Sequence, residues 1–351
     1  MSEIRFGFIG TGKIAYSSAE ELLSHENASL VAAQDLSAKR LGEFADKFAV
    51  EERYANADDL FASPNVDAVY IAVPNKYHAP LAIAALKAGK HVMLEKPFAM
   101  NATEAEAVVS AAKESGKLFT LGMNQRFRED SQKIRNLATA GKLGEIYYAK
   151  AYWFRRSGIP TLGTWFGNKE LAGAGAINDI GVHLLDLCLH TIDNFDPVSV
   201  SGRTYTKFGN RGLGGGGWGI SDKSDAPFDV DDFATALIKM RNGATISLEV
   251  SWACHTEKND KMDVEVFGTE AGASLYPARL YKSDTSTGEY QIVEDVNAPV
   301  SMKHSSRFHN FTNAILGTEE LAVPAEQALV IQKILDAIAE SSSTGKEVTL
   351  S

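Results

Sequence analysis

The first 121 residues alternate short apolar runs with longer amphipathic stretches. Ile4–Ile9 reads as a strand, and residues 12–24 then set Ile14, Ala15, Ala19, Leu22 and Leu23 on one stripe of helical period. Leu30–Ala33 predicts a second strand and residues 38–47 a second helix. Ala68–Val73 (AVYIAV) is apolar throughout, as expected of a strand covered on both faces in a parallel sheet. Residues 77–88 predict a helix ended by Gly89, and His91–Leu94 a further buried strand. Thr103 and Glu106 have the spacing of a capping box, with Ala105, Val108, Val109 and Ala112 on the inner stripe of the helix they would open. Leu118–Leu121 closes the series. Strands joined by single helices require right-handed crossovers, so the expected fold is an α/β Rossmann doubly wound parallel sheet.

The pattern changes after residue 123. A helix is predicted over 128–140, then strands at Ile146–Phe154, Val198–Thr206, Thr235–Met240, Ala244–Trp252, Asp263–Gly268 and Ala273–Tyr276. Asn242-Gly243 joins two of these as a hairpin turn. Helices at 306–316 and 325–341 and a short strand at Glu347–Leu350 end the chain. The expectation is an α+β domain with a large, mostly antiparallel open sheet. Residues 1–123 would form a nucleotide-binding domain and 124–351 a substrate-binding and oligomerisation domain, with the C-terminal helix packing back on the first. Gly214–Gly217 falls in a loop of roughly 208–228 that is either mobile or closes over a ligand.

Composition narrows the functional classes. A chain of 351 residues can build two cores. The formal net charge of -10 argues against nucleic acid or an anionic membrane surface as partner. Cys188 and Cys254 are the only cysteines, too few for a disulfide framework or a cysteine zinc site, which suits a reducing, cytoplasmic setting. The opening MSEIRFGFI runs straight into a strand, so no secretory leader is expected, and no apolar run is long enough to predict a membrane span.

Gly10-Thr11-Gly12-Lys13-Ile14-Ala15 follows the first strand and opens the first helix in the form G-x-G-x-x-A. The first glycine permits the tight turn, the second lets backbone approach a pyrophosphate, and the alanine keeps helix and sheet close. The helix N-terminus offers free N–H groups to the anion. Asp35, at the end of the second strand, has the spacing of an acid that meets the adenosine ribose. It favours NAD; Lys39 and Arg40 offset its charge, so NADP stays open, and an alternative for Asp35 is a helix cap with Ser37.

Glu95-Lys96-Pro97 leaves a buried strand directly, which delivers Lys96 to the crevice at the C-terminal ends of the sheet. Asp179 and His183 lie four residues apart at the start of a predicted helix and would share one face. A metal set of Asp179, His183 and Asp186 is geometrically conceivable, but no further ligands lie nearby in sequence, and no metal is expected.

Taken in order, GFIGTGKIA at 7–15, AVPNKYHAPLAIAALKAGKHVMLEKP at 72–97, NQRF at 124–127, GKLGEI at 141–146, NDIGVHLLDL at 178–187 and VDDFATALIKMRNGATISLEVSW at 230–252 resemble the glucose–fructose oxidoreductase / inositol dehydrogenase / rhizopine-catabolism family (Gfo/Idh/MocA) over nearly the whole chain. The resemblance implies NAD(P) binding by the first domain and dimer or tetramer assembly through the second sheet. It implies Lys96, Asp179 and His183 as the catalytic set, with a Lys96–Pro97 peptide that is cis in relatives. Val73, Pro74, Asn75 and His78 match the stretch along the cofactor, with Glu95 and Asn124 on the nicotinamide side. Arg126, Arg155, Trp165 and Asn178 match places near substrate; Arg126, Arg155 and Arg156 would suit an acidic substrate or act as plain surface cations. The implied activity is hydride transfer to or from a secondary hydroxyl of a sugar, sugar derivative or cyclic polyol. His183 would serve as base, Asp179 would orient it and Lys96 would bind the reacting oxygen. Glycoside cleavage through transient oxidation, a catalytically silent nucleotide sensor, and reduction of dihydrodiols or bilins are the alternatives the family leaves open.

Overall fold

The computed structural model describes residues 3–219 and 227–350. Its first part runs β1 (Ile4–Ile9), α1 (Lys13–Leu23), β2 (Ala28–Gln34), α2 (Ala38–Phe48), β3 (Glu52–Tyr54), α3 (Ala57–Ala62), β4 (Ala68–Ile71), α4 (His78–Lys87), β5 (His91–Leu94), α5 (Ala102–Ser115) and β6 (Phe119–Leu121). The six strands are all parallel in the order β3-β2-β1-β4-β5-β6, a doubly wound sheet whose switch point lies between β1 and β4. β3 and α3 escaped the sequence reading because Glu52-Arg53-Tyr54 is too short and polar to show a strand period. The cap of α5 is also shifted. Asn101 Oδ1 accepts from Glu104 N at 2.9 Å, and Glu104 Oε2 accepts from Met100 N at 3.3 Å. The capping pair is thus Asn101 and Glu104, not Thr103 and Glu106, because asparagine caps as well as threonine and begins the turn earlier.

Alternation along the strands sends side chains to both faces of this sheet. Ile9, Val69, Ile71 and Leu94 pack with α4 and α5, while Phe6, Phe8 and Tyr70 pack with Ala15, Ala19 and Leu22 of α1 and Phe44 of α2. The second face is completed from the far end of the chain. Phe308 and Phe311 of α9 (Arg307–Ile315) meet Phe6 edge-on at 6.3 and 6.1 Å between ring centroids. Such pairs contribute about 0.5–1.5 kcal/mol each beyond burial. A division of the sequence at residue 124 therefore leaves out a helix that the first core uses.

The second part holds α6 (Glu129–Thr139), β7 (Ile146–Arg155), α7 (Lys169–Ala172), α8 (Val182–Thr191), β8 (Pro197–Tyr205), β9 (Phe233–Met240), β10 (Thr245–Ser251), β11 (Asp260–Gly268), β12 (Gly272–Leu275), β13 (Ala278–Ser283) and β14 (Tyr290–Val293). After α9 come α10 (Ala325–Thr344) and β15 (Val348–Thr349). The nine-stranded sheet has the order β14-β13-β12-β11-β7-β10-β9-β8-β15 and is antiparallel except for β7 with β10. Ala149, Ala151, Ile246, Leu248, Val250, Val264 and Val266 form its buried face, packed in one core with α8 and α10. The other face shows Leu237 and Phe267 to solvent, and ring contacts run from Tyr152 to Phe154 along β7 and on to Phe233 and Tyr205 of β9 and β8. Gln332 and Asp336 of α10 accept from Ala99 N and Ala102 N, so this helix bridges to the first sheet's side of the molecule. No described helix is long and apolar enough to cross a membrane.

The glycine-rich loop is pinned over its described part. Ile159 N donates to Gly214 O at 3.0 Å, Gly216 N to Ile159 O at 2.7 Å, and Trp218 Nε1 to Gly158 O at 2.8 Å. Residues 220–226 of the loop lie outside the described residues.

Candidate functional site

The turn after β1 is built as its glycines require. Gly10 has φ of +86°, and a Cβ there would stand 2.3 Å from Ala72 O, so only glycine allows β1 and β4 to approach this closely. Gly12 caps α1 without a side-chain hydrogen bond, and a Cβ on it would meet nothing within 4 Å. The first turn of α1, with Lys13 and Ile14, carries no acidic residue. A helix start with a clear approach and no acidic residue in its own first turn fits a pyrophosphate. Asp35 stands beside this turn. Its Oδ2 accepts from Thr11 N at 2.9 Å and Thr11 Oγ1 at 3.0 Å, and its Oδ1 from Ser37 N at 2.7 Å and Arg40 Nη2 at 2.9 Å. Burial works to raise its pKa, but Arg40 and these N–H donors outweigh it and hold the carboxyl below its usual range. The carboxylate braces the turn and the approach to α2, whose N-cap is Ser37 itself. If Asp35 meets the adenosine ribose, changing it to Ser would remove a charge that opposes a 2′-phosphate. The NAD-over-NADP ratio of kcat/KM is expected to fall at least about tenfold, roughly 1.4 kcal/mol; an unchanged ratio would contradict a ribose role.

Val73, Pro74 and Asn75 follow β4. Asn75 Nδ2 donates to Ala172 O at 2.8 Å, tying this stretch to α7. His78 is buried, with Nδ1 2.7 Å from Pro97 O and Nε2 2.9 Å from Val73 O. Burial lowers the His78 pKa, so the neutral ring donates to one of these two carbonyls and, packed against both, braces the turn that bears Lys96. Asn124 sits exposed just past β6.

The Lys96–Pro97 peptide is cis. Lys96 Nζ reaches Asp179 Oδ1 at 2.7 Å and Asp179 O at 3.0 Å. The second contact depends on a local departure from the expected helix. Ile177–Gly181 is a π-helical turn that precedes α8, so Asp179 and His183 do not follow α-helical spacing. Asp231 anchors this turn, accepting from Gly175 N at 2.7 Å and Ile177 N at 2.9 Å, and burial pushes its pKa up to about 6. The second oxygen of Asp179 accepts from Trp252 Nε1 at 2.8 Å. Burial favours the neutral acid at Asp179, but the charge and hydrogen bond of Lys96, then the Trp252 N–H, keep it ionised below its usual range.

His183 lies in the same place. Burial, and next the charge of Lys96, push its pKa down to about 3, so the imidazole is neutral near neutral pH. Its Nδ1 is buried with no partner among the described residues, and the residue lines the cleft. Glu95 faces the other way. Arg307 Nη1 and Tyr70 Oη both donate to its Oε1, and Arg307 Nη2 also bonds Ser18 Oγ at 2.9 Å. Burial would raise Glu95, but Arg307 and Lys96 prevail and hold it at about 2. Glu95 therefore locks α9 to the first sheet directly beneath Lys96.

Two cavities meet at Asp179. A narrow one is lined by Asn75, Lys96, Pro97, Trp165, Asn178 and Trp252, among others, on the side of the first sheet. A cleft of about 470 Å³ extends outward past Asp179 and His183 to Trp153, Arg155, Trp218 and Asp260. Arg155 therefore lines the outer cleft, and Trp165 and Asn178 the narrow cavity. Arg126 lines neither. It is fully buried, with Nε bonded to both oxygens of Asp186 at 2.9 and 3.0 Å and Nη1 to Ala322 O at 2.7 Å, and serves as an internal tie. A cation expected at the substrate is thus spent on Asp186, which also removes Asp186 from any metal set; among the described residues no cluster could hold a metal. Arg156 is likewise spent, on the carbonyls of Thr256 and Glu257.

Sequence reasoning missed Trp252, Asp231 and Arg307. The first two lie within the stretch 230–252 that carried the resemblance, but no local spacing points from either to residue 179. Trp252→Phe keeps the ring and deletes the N–H. Losing a bond to a carboxylate is expected to raise the Asp179 pKa, so the acidic limb of kcat/KM should move up by about one to two pH units with NADH affinity kept. An unmoved limb would make Trp252 a packing residue only.

Comparison with known proteins agrees with this architecture. Residues 4–123 match the family described as oxidoreductase family, NAD-binding Rossmann fold, and residues 131–274 match the GFO/IDH/MocA C-terminal domain. The chain is 31% identical to D-glucoside 3-dehydrogenase of Escherichia coli over 99% of its own length and 98% of that protein's. It is 30% identical to levoglucosan dehydrogenase of Pseudarthrobacter phenanthrenivorans over 65% of its length and 60% of the relative's. Among solved structures, levoglucosan dehydrogenase in complex with NADH and levoglucosan superposes with a TM-score of 0.84 over 99% of both chains at 22% identity, a likeness of fold. The chain belongs to the GFO/IDH/MocA family of NAD(P)-dependent oxidoreductases.

Proposed function

We propose that this chain moves a hydride between NAD(P) and a secondary carbinol of a sugar, sugar derivative or cyclic polyol, with Lys96, Asp179 and His183 around the reacting carbon. The observation that carries this reading is the Lys96–Asp179 pair at 2.7 Å, set where the cofactor crevice opens into the cleft that His183 lines. Nicotinamide, when bound, supplies the hydride acceptor or donor. In the oxidation direction Lys96 donates to the substrate oxygen and stabilises the charge that develops on it as the C–H bond breaks. Asp179, fixed through both oxygens, holds the ammonium in place. His183, with its proton on Nδ1, accepts the hydroxyl proton at Nε2. The nearby Lys96 charge disfavours the imidazolium, so the proton passes on to water in the open cleft. The carbinol becomes a carbonyl, having lost one hydride and one proton.

The named activities of the relatives support the substrate class, since they include glucoside, levoglucosan and inositol dehydrogenases. The exposed aromatic face of the nine-stranded sheet would pair copies into a dimer or tetramer, and the boundary between the two functional parts falls near residue 123. Two unpaired cysteines suit a reducing, cytoplasmic compartment. The test is a panel of sugars, inositols and anhydrosugars with NAD and with NADP, followed by absorbance of the reduced cofactor. Accumulation with at least one compound is expected. A protein that binds NADH yet turns over none of them would overturn the reading, and glycoside cleavage without accumulation would favour transient oxidation.

A further inference from the structure

The cleft is longer than the chemistry at its inner end requires. Only Asp179, Ile180 and His183 belong to the inner end; the other lining residues come from the end of β7, the segment after it, the glycine-rich loop and the approach to β11. Among the described residues none of this outer lining comes from the six-stranded sheet or its helices, so the outer walls belong to the second part of the chain alone. The whole cleft, inner end included, measures about 470 Å³, within the ~300–1,000 Å³ of sites that enclose drug-sized ligands.

The outer walls are fixed in advance. Trp153 Nε1 donates to Asp260 Oδ1 at 2.8 Å, and Trp218 Nε1 to Gly158 O at 2.8 Å. Both indole N–H groups are thus used to hold the rings, which leaves ring surface as what they offer a ligand. Arg155 lies against both, with its Cζ 4.5 Å from the Trp153 ring centre and 5.9 Å from that of Trp218. The backbone behind Trp218 is zipped to the opposite strand end by Ser157 Oγ to Gly215 O at 2.9 Å and by the Ile159 contacts described above. Rigid aromatic surface bearing a few fixed polar groups binds with little ordering cost.

The charge at this wall selects against an anion. Arg155 Nε stands 3.4 Å from Asp260 Oδ2, so the guanidinium is neutralised, and a ligand phosphate or carboxylate placed here would face the aspartate. Two indoles beside a neutral Arg–Asp pair and the Asn259 amide match an uncharged ligand with apolar C–H faces and a rim of hydroxyls. That is a sugar ring.

We propose that Trp153, Trp218, Arg155 and Asp260 form a subsite for a second, uncharged ring linked to the one that is oxidised, so that the preferred substrate is a glycoside of two rings rather than a free monosaccharide or inositol. This rests on the reading of the inner end given above. It predicts that affinity rises on adding a ring while the reacting ring stays the same. The experiment uses isothermal titration calorimetry on the full chain saturated with NADH. Free hexoses, their methyl glycosides and the matching disaccharides (cellobiose, maltose, lactose and melibiose) are titrated, and kcat/KM is measured for the same set with NAD.

For at least one hexose the disaccharide should bind at least tenfold more tightly than its methyl glycoside. That ratio should fall toward one in Trp218→Leu and, as an independent variant, in Arg155→Met. Equal affinities throughout the wild-type set, or a ratio that survives in a folded variant, would overturn the subsite. Turnover of monosaccharides without any gain for disaccharides removes the subsite alone. Absence of both binding and turnover across the set overturns it together with the sugar-oxidation reading.

Discussion

His183→Ala is expected to lower kcat by about 10²–10⁴-fold while NADH affinity stays within twofold or so of wild type. The expectation follows from where the ring sits. His183 opens α8 in the second part of the chain, away from the glycine turn that fits the pyrophosphate, so cofactor binding does not need it. It lines the cleft beside Asp179, with Nδ1 buried. Because its pKa is pushed down to about 3, the ring needs no deprotonation before it can accept a proton, and the acidic limb of the wild-type profile does not arise from it above about pH 4. Steady-state kinetics with the best compound of the panel, together with an NADH titration, check both halves. Full turnover in this variant would remove the histidine from the chemistry.

Lys96→Met should cost about 10²–10³-fold in kcat, the usual consequence of deleting a charge aimed at a developing oxyanion. A second effect separates this from mere loss of packing. Lys96 is the largest charge acting to depress His183, so without it the imidazole pKa should rise from about 3 toward its ordinary range. The residual activity should then show a new acidic limb at a higher pH than in wild type. Asp179, deprived of its ammonium partner, should also rise, which works in the same direction. A variant with reduced kcat and an unshifted pH profile would mean that Lys96 does not act electrostatically on this site.

The fold was largely legible because its signals are periodic. The all-apolar AVYIAV run predicted a strand buried on both faces, and β4 is wholly buried between its neighbours. The alternation of β9 and β10 around Asn242-Gly243 gave the hairpin that pairs Ile246 with Ile238. The return of α9 to the first sheet was not legible, since Phe308 and Phe311 look the same in sequence whichever core they enter. The same distinction governs the site. The glycine turn and Lys96 lie at strand ends, where local sequence fixes position. The π-helical turn around Asp179 leaves no mark in spacing, because Asp231, from the loop before β9 more than fifty residues on, anchors it. Arg126 shows the opposite failure. A cation near a motif looked available, yet Asp186 had already taken it, and only burial in three dimensions reveals that.

The central claim is that the Lys96 ammonium, the Asp179 carboxylate and the His183 imidazole gather round one nicotinamide ring. Determining the crystal structure of the chain with NADH bound tests it most directly. The account predicts the carbon that carries the hydride facing the cleft, with space for a substrate carbon about 3–3.5 Å away and within hydrogen-bond reach of Lys96 Nζ and His183 Nε2. A ring seated more than about 10 Å from both groups, beyond any reach through one bound hydroxyl, would contradict it.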